Sequence, residues 1–172
     1  MKKCLFSINI FVFFMMTAWG CQRNADQKKI NENKFPKAAE FVLQSVKGDT
    51  VRLSDFRGKV LILDIWDTWC PPCRMEIPDF VQLNNQYKEE GFSIIGIALG
   101  QEGKEKVQSF IQEYHIPYPV ALANKQVLKD YGPISGIPTT FVINKKGEIV
   151  KTYIGFKPKE TFENDIKFLL KE

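Results

Sequence analysis

Val60-Leu61-Ile62-Leu63-Asp64-Ile65-Trp66-Asp67-Thr68-Trp69-Cys70-Pro71-Pro72-Cys73 is the stretch that decides how this chain of 172 residues folds. Val60 to Ile65 is apolar, rich in β-branched residues and of strand length, interrupted only by Asp64. Beyond Cys73, the residues Met75, Ile77, Phe80, Val81, Leu83 and Tyr87 recur at mostly helical spacing. A strand therefore ends just before Cys70, and a helix starts there. A thiol at a helix start meets the positive end of the macrodipole and the free N–H groups of the first turn. Both stabilise the thiolate, which is the reactive form. The second thiol lies one turn on, so the pair can close and open a disulfide. The stretch reads as a thiol–disulfide exchange site, with Cys70 on the exposed side of the turn as nucleophile and Cys73, more shielded, as the resolving thiol.

Two blander readings compete. A structural disulfide draws most of its entropic benefit from the length of the loop it closes, and only two residues intervene here. A zinc half-site would need further N, S or O ligands to complete four, and His115 is the only histidine. No metal or other cofactor is expected.

The ends carry separate information. Lys2 and Lys3 precede an almost wholly apolar run, Leu5 to Met16, too short to span a bilayer easily but right for a signal peptide. Ala18-Trp19-Gly20-Cys21 resembles a bacterial lipobox, so residues 1–20 read as a lipoprotein-type signal and Cys21 as the lipidation site. An uncleaved anchor and ordinary secretion are the alternatives. Residues 21–37, rich in Asn, Gln and Lys, read as a flexible tether with a coil reach of about 20–25 Å. Cys4 falls in the signal and Cys21 at the lipid, which leaves the folded part only Cys70 and Cys73. The net charge of +4, without any Lys/Arg stripe, leaves no footprint for nucleic acid. Residues 38–172 suit one domain with one core.

Along that domain, Phe41–Gln44 and Thr50–Leu53 flank the turn Lys47-Gly48-Asp49 as a hairpin. A helical turn closed by Gly58 leads into the strand Val60–Ile65, and the following helix runs to about Glu90. Residues 93–99 form a second apolar strand, and residues 104–114 a helix with Val107, Phe110, Ile111 and Tyr114 on one face. Ile116 to Val120 looks extended, and Gln126 to Tyr131 forms a short helix. Thr139–Ile143 and Glu148–Ile154 flank Asn144-Lys145-Lys146-Gly147 as an antiparallel hairpin. A closing amphipathic helix turns Phe162, Ile166, Leu169 and Leu170 inward. Strands separated by helices and ending in a hairpin mean a mixed α/β sheet with helices on both faces.

Taken together, Asp64 to Arg74, Pro78, Gly136-Ile137-Pro138-Thr139-Thr140 and Gly155 resemble the thioredoxin superfamily. Within it, the match is to the membrane-anchored TlpA/ResA-like thiol-disulfide oxidoreductases of the AhpC/TSA–redoxin branch. The resemblance implies a thioredoxin-like three-layer α/β fold with an N-terminal β-hairpin extension and an inserted central helix. It implies that Ile137–Pro138 is a cis peptide beside the cysteines, with the Ile137 backbone free to pair with a bound peptide; a trans proline ending a loop is the alternative. It also puts Asp64 at the place of a buried acid that takes the proton from Cys73 through a water molecule. The alternative for Asp64 is a solvated acid at a strand edge.

Trp66 and Trp69 can pack beneath and beside the pair, with Trp69 on a docking surface, or can serve the core alone. Pro71 fits the first helical position, and Pro72 removes a donor near Cys70. Asp67 stands where the family usually has a small residue: it tunes the thiol, is solvated, or contacts Arg74 or a partner. The expected function is an extracytoplasmic protein-disulfide reductase facing the periplasm, lipid-anchored to a bacterial membrane. The resemblance suggests client proteins such as apocytochrome c and recharging by a membrane electron carrier of the DsbD/CcdA type. Oxidase or isomerase action on the same site, a thiol peroxidase and a copper-delivery binding protein are the alternatives.

Overall fold

The structure is a computed structural model that describes residues 35–172. The expected signal at 1–20, Cys21 and the tether as far as residue 34 lie outside the described residues. The elements follow in the order β1 (Val42–Gln44), β2 (Thr50–Arg52), β3 (Val60–Trp66), α1 (Pro71–Tyr87), β4 (Phe92–Ala98), α2 (Lys104–Glu113), β5 (Val120–Leu122), α3 (Lys125–Tyr131), β6 (Thr139–Ile143), β7 (Ile149–Ile154) and α4 (Lys159–Leu170).

β3 forms the middle of a five-stranded sheet in the order β5-β4-β3-β6-β7. It pairs parallel with β4 and antiparallel with β6, so the sheet is mixed. All seven of its residues are buried, as expected of a central strand covered on both faces. Alternation sends Val60, Ile62 and Trp66 into one core, with Ile77, Phe80 and Leu83 of α1, Val107 and Phe110 of α2, and Phe162 and Ile166 of α4. Leu61, Leu63 and Ile65 face the other core, with Val127 and Tyr131 of α3 and with Phe41, Leu43, Val51 and Leu53 of the N-terminal segment. Helices thus cover both faces, giving the three-layer thioredoxin-like arrangement. Asp64 lies at an even position of β3, so it faces α1 from between Ile62 and Trp66.

The N-terminal hairpin has a defined job. The Val46 N–H donates to the Val120 carbonyl at 2.9 Å and Ser45 bridges Ala121, so the hairpin lies along the β5 edge and closes it to further pairing.

Three expectations shift. The extended run from Ile116 becomes a strand only at Val120, because Pro117 and Pro119 have no N–H to give to a ladder. The helix expected to reach Glu90 tightens into a 3₁₀ turn at Lys88–Glu90, which ends at Gly91 with φ +92°. The tether boundary at residue 37 moves back, since the Pro36 carbonyl accepts the Ile149 N–H at 2.8 Å and Lys37 bridges Glu148.

Candidate active site

Cys70 is the N-cap of α1, and its sulfur accepts the Cys73 N–H at 3.3 Å. Pro71 and Pro72, which have no N–H to satisfy, occupy the first two helical positions. The first-turn donor expected to stabilise a thiolate is therefore aimed at Cys70. The two sulfurs are bonded, with the Cα atoms 5.3 Å apart. One expectation needs correction, because Cys70 is not on an exposed side: its relative exposure is 2 %, against 1 % for Cys73. The bond to Cys73 and the Ile137 carbonyl, 3.6 Å from the Cys70 sulfur, enclose it. Access comes through an apolar groove of about 600 Å³ whose walls include Trp69, Pro71, Pro72, Gln101 and Ile137.

Ile137–Pro138 is a cis peptide, and the Pro138 carbonyl accepts the Gly155 N–H at 2.8 Å, tying this loop to the end of β7. A second cis bond, Gly132–Pro133, lies in the same connection and carries no signal in the sequence.

Behind the disulfide are two buried carboxyl groups, of which the sequence reading found one. Asp64 is buried and accepts the Thr140 hydroxyl at 3.3 Å. Desolvation, reinforced by the charge of Glu76, holds its pKa well above the usual aspartate range. This disposes of the solvated-edge alternative. Glu76, 1 % exposed, was missed. It lies one turn beyond Cys73 on the same face of α1, in the stripe Cys73, Glu76, Ile77, Phe80 and Leu83. A lone acid within that apolar stripe is the signal that marks it. Its Oε1 accepts the Lys157 N–H at 2.9 Å, while Oε2 has no hydrogen-bond partner among the described residues. Burial raises its pKa from the ordinary 4.5 to about 7, against a smaller lowering by Lys157.

Asp67 is neither solvated nor paired with Arg74. It is fully buried, and its carboxylate accepts N–H groups from Thr68 at 2.8 Å, the Trp69 indole at 3.0 Å and the Gln101 backbone at 3.1 Å. Arg74 instead lies over the Phe110 and Tyr114 rings and donates to the Thr68 carbonyl. The two tryptophans separate cleanly. Trp66 is enclosed against Phe110 and Gly96 and supports the site from beneath, while Trp69 stays 47 % exposed on the groove. Met75 shares the helical pattern but points outward, and His115 is exposed in the left-handed region at φ +51°.

A dithiol at a helix start, a cis-proline loop against it and a buried acid behind it can exchange disulfides and move the accompanying proton. Residues 30–167 match the Redoxin family. The chain belongs to that family. This redoxin is 35 % identical over 144 residues to the thiol-disulfide oxidoreductase ResA of Bacillus anthracis, covering 83 % of this chain and 81 % of that one. It is 37 % identical over 131 residues to ResA of Geobacillus kaustophilus, covering 76 % and 74 %. Among solved structures, a thiol:disulfide interchange protein of the thioredoxin family from Chlorobium tepidum superposes with a TM-score of 0.75 at 33 % identity, over 80 % of this chain and 97 % of that one. The redoxin is accordingly a thiol-disulfide oxidoreductase of the ResA-like type.

Proposed function

We propose that this oxidoreductase works outside the cytoplasm, held to a membrane by a lipid on Cys21, and reduces disulfides in client proteins. The Cys70 thiolate attacks one sulfur of the client disulfide. The client S–S bond breaks, its leaving thiolate takes up a proton, and a mixed disulfide forms on Cys70. Cys73 then gives its proton to the acid pair of Asp64 and Glu76. The Cys73 thiolate attacks the Cys70 sulfur, and the second client thiolate leaves and is protonated in turn. Two electrons and two protons pass to the client, and the chain is left with the Cys70–Cys73 disulfide seen in the structure.

The observation that carries this reading is the buried acid pair behind the disulfide. A carboxyl with a pKa near 7 is matched to accepting a proton at neutral pH, and two like charges in one apolar site resist double ionisation. The client enters along the groove past Trp69 and Ile137. Following the family resemblance of the cysteine motif and the proline loop, apocytochrome c is the client class to try first, and a membrane carrier of the DsbD/CcdA type restores the dithiol.

Cys73→Ser in cells should accumulate client proteins disulfide-bonded to Cys70, and Cys70→Ser should accumulate none. On the full chain, insulin-disulfide reduction, peroxide turnover and copper(I) affinity separate the rivals. Insulin reduction is the expected positive. A chain that shows only peroxide turnover or only copper binding overturns the reading.

A further inference from the structure

Asp67 is a buried acid that the exchange chemistry does not use. Every oxygen of its carboxylate is committed: Oδ1 accepts the Thr68 N–H at 2.8 Å and lies 3.5 Å from the Thr68 hydroxyl, and Oδ2 accepts the Trp69 indole N–H at 3.0 Å and the Gln101 N–H at 3.1 Å. Trp69 belongs to the turn between β3 and α1, whereas Gln101 belongs to the turn between β4 and α2. Both line the groove that leads to Cys70. One side chain therefore joins two separate segments at the wall of the docking groove.

The surroundings reinforce the joint. The Thr68 hydroxyl donates to Glu102 Oε2 at 2.6 Å, adding a second tie between the same two segments. The β4–α2 turn itself needs glycine at Gly100 and Gly103, with φ of +68° and +93°. A Cβ at Gly100 would come within 2.8 Å of Leu122. The turn thus has one tight backbone path, and the Asp67 carboxylate meets it at Gln101. Among the described residues, the half-exposed Trp69 has no other hydrogen bond for its indole N–H, so Asp67 is the polar anchor of its ring.

We propose that Asp67 is a specificity-determining positioning residue, whose carboxylate fixes the Trp69 indole and the Gln101 backbone as one wall of the groove that receives the polypeptide around a client disulfide. This rests on the oxidoreductase reading and adds to it: the preferred substrate is a disulfide flanked by apolar polypeptide, not a small free disulfide. The acid acts through Trp69 and Gln101 and takes no part in electron or proton transfer.

The test compares Asp67→Asn, Trp69→Phe and the double variant in the full chain, with insulin and glutathione disulfide as substrates. Asparagine keeps the size of the side chain but turns an amide N–H toward the donors. Losing one charge-assisted hydrogen bond at the groove wall should lower the ratio of kcat/KM for insulin over glutathione disulfide about tenfold, with the loss in KM rather than kcat. Trp69→Phe removes the donor half of the bond together with part of a half-exposed ring on the groove wall, and it carries the test if Asp67→Asn does not fold. The double variant should lose little beyond the larger single loss, since both changes break one contact.

A ratio unchanged in either folded single variant, or strictly additive losses in the double variant, overturns the role of Asp67. A fall in kcat alone, equal for the two substrates, does the same and marks Asp67 as an electrostatic influence on Cys70. A wild-type chain that reduces neither substrate fails differently, and sinks the oxidoreductase reading itself.

Discussion

Glu76 ionises at a cost that the fold sets. Its folded-state pKa of about 7 lies above the ordinary 4.5, so between those values the folded chain keeps a proton that the unfolded chain has lost. Stability therefore falls as pH rises through that window and levels off above it, by up to about 3 kcal/mol for the full shift. Glu76→Gln removes the titration. In the oxidised chain, the variant should gain stability over wild type in urea unfolding at pH 8, and little or none at pH 4.5. A variant that is uniformly less stable at both would show that the carboxyl is not ionising in the fold.

The same substitution should slow resolution of the mixed disulfide. With Cys73 deprived of one proton acceptor, the rate at pH 7 should fall by about 10–100-fold, and an inflection near pH 7 should disappear. Stopped-flow release of a trapped client thiol reads this directly. Asp64→Asn should also slow the step, because Asp64 faces the same helix. The double variant should be less than multiplicative if the two acids act as one proton store.

Local chemistry determined most of the elements, and their exceptions lie where local chemistry changes. α1 starts at Cys70 because a proline at each of the next two positions fits an N-terminus, and it passes through Pro78 without an element break. β3 and β4 approach closely at Gly96, where a Cβ would come within 2.9 Å of the Trp66 indole nitrogen and 3.2 Å of a Val120 methyl. Gly96→Ala should therefore cost about 1–3 kcal/mol, because the ring above it is enclosed and cannot retreat. Chemical denaturation measures the loss, and an unaffected midpoint would mean that β4 shifts freely against β3. That requirement was invisible in sequence: a glycine inside an apolar strand looks the same whether it is tolerated or needed. The cysteine turn, the strand before it and the terminal hairpin were legible because their cues lie within a few residues of one another. Glu76 was legible only as a lone acid in the apolar stripe of α1, and its coupling to Asp64 across the helix–sheet interface was not.

For the molecule as a whole, the N-terminal segment completes the second core. Phe41, Leu43, Val51 and Leu53 cover Leu61, Leu63 and Ile65 on the face opposite α1, and the Tyr131 hydroxyl donates to the Ala39 carbonyl at 2.8 Å. Deleting residues up to 58 should uncover this face and the β5 edge together. The shortened chain should bind a hydrophobic dye and lose its near-ultraviolet dichroism while keeping much of its helical signal. Retention of a sharp cooperative transition would show instead that the sheet and its three helices on the α1 face suffice.

The cis-proline loop beside the dithiol was expected only from the family resemblance; by itself, the order of residues determined the α/β class, the dithiol at a helix start and the acid within the apolar run of β3. Those features are written in spacing, propensity and side-chain type, which act over a few bonds. Tertiary structure alone decided that Cys70 is enclosed, that Glu76 joins Asp64 behind it, and that Asp67 ties Trp69 to Gln101. Each of these depends on which segments the sheet brings together, and desolvation and hydrogen bonding between distant segments exist only after the chain has closed around them.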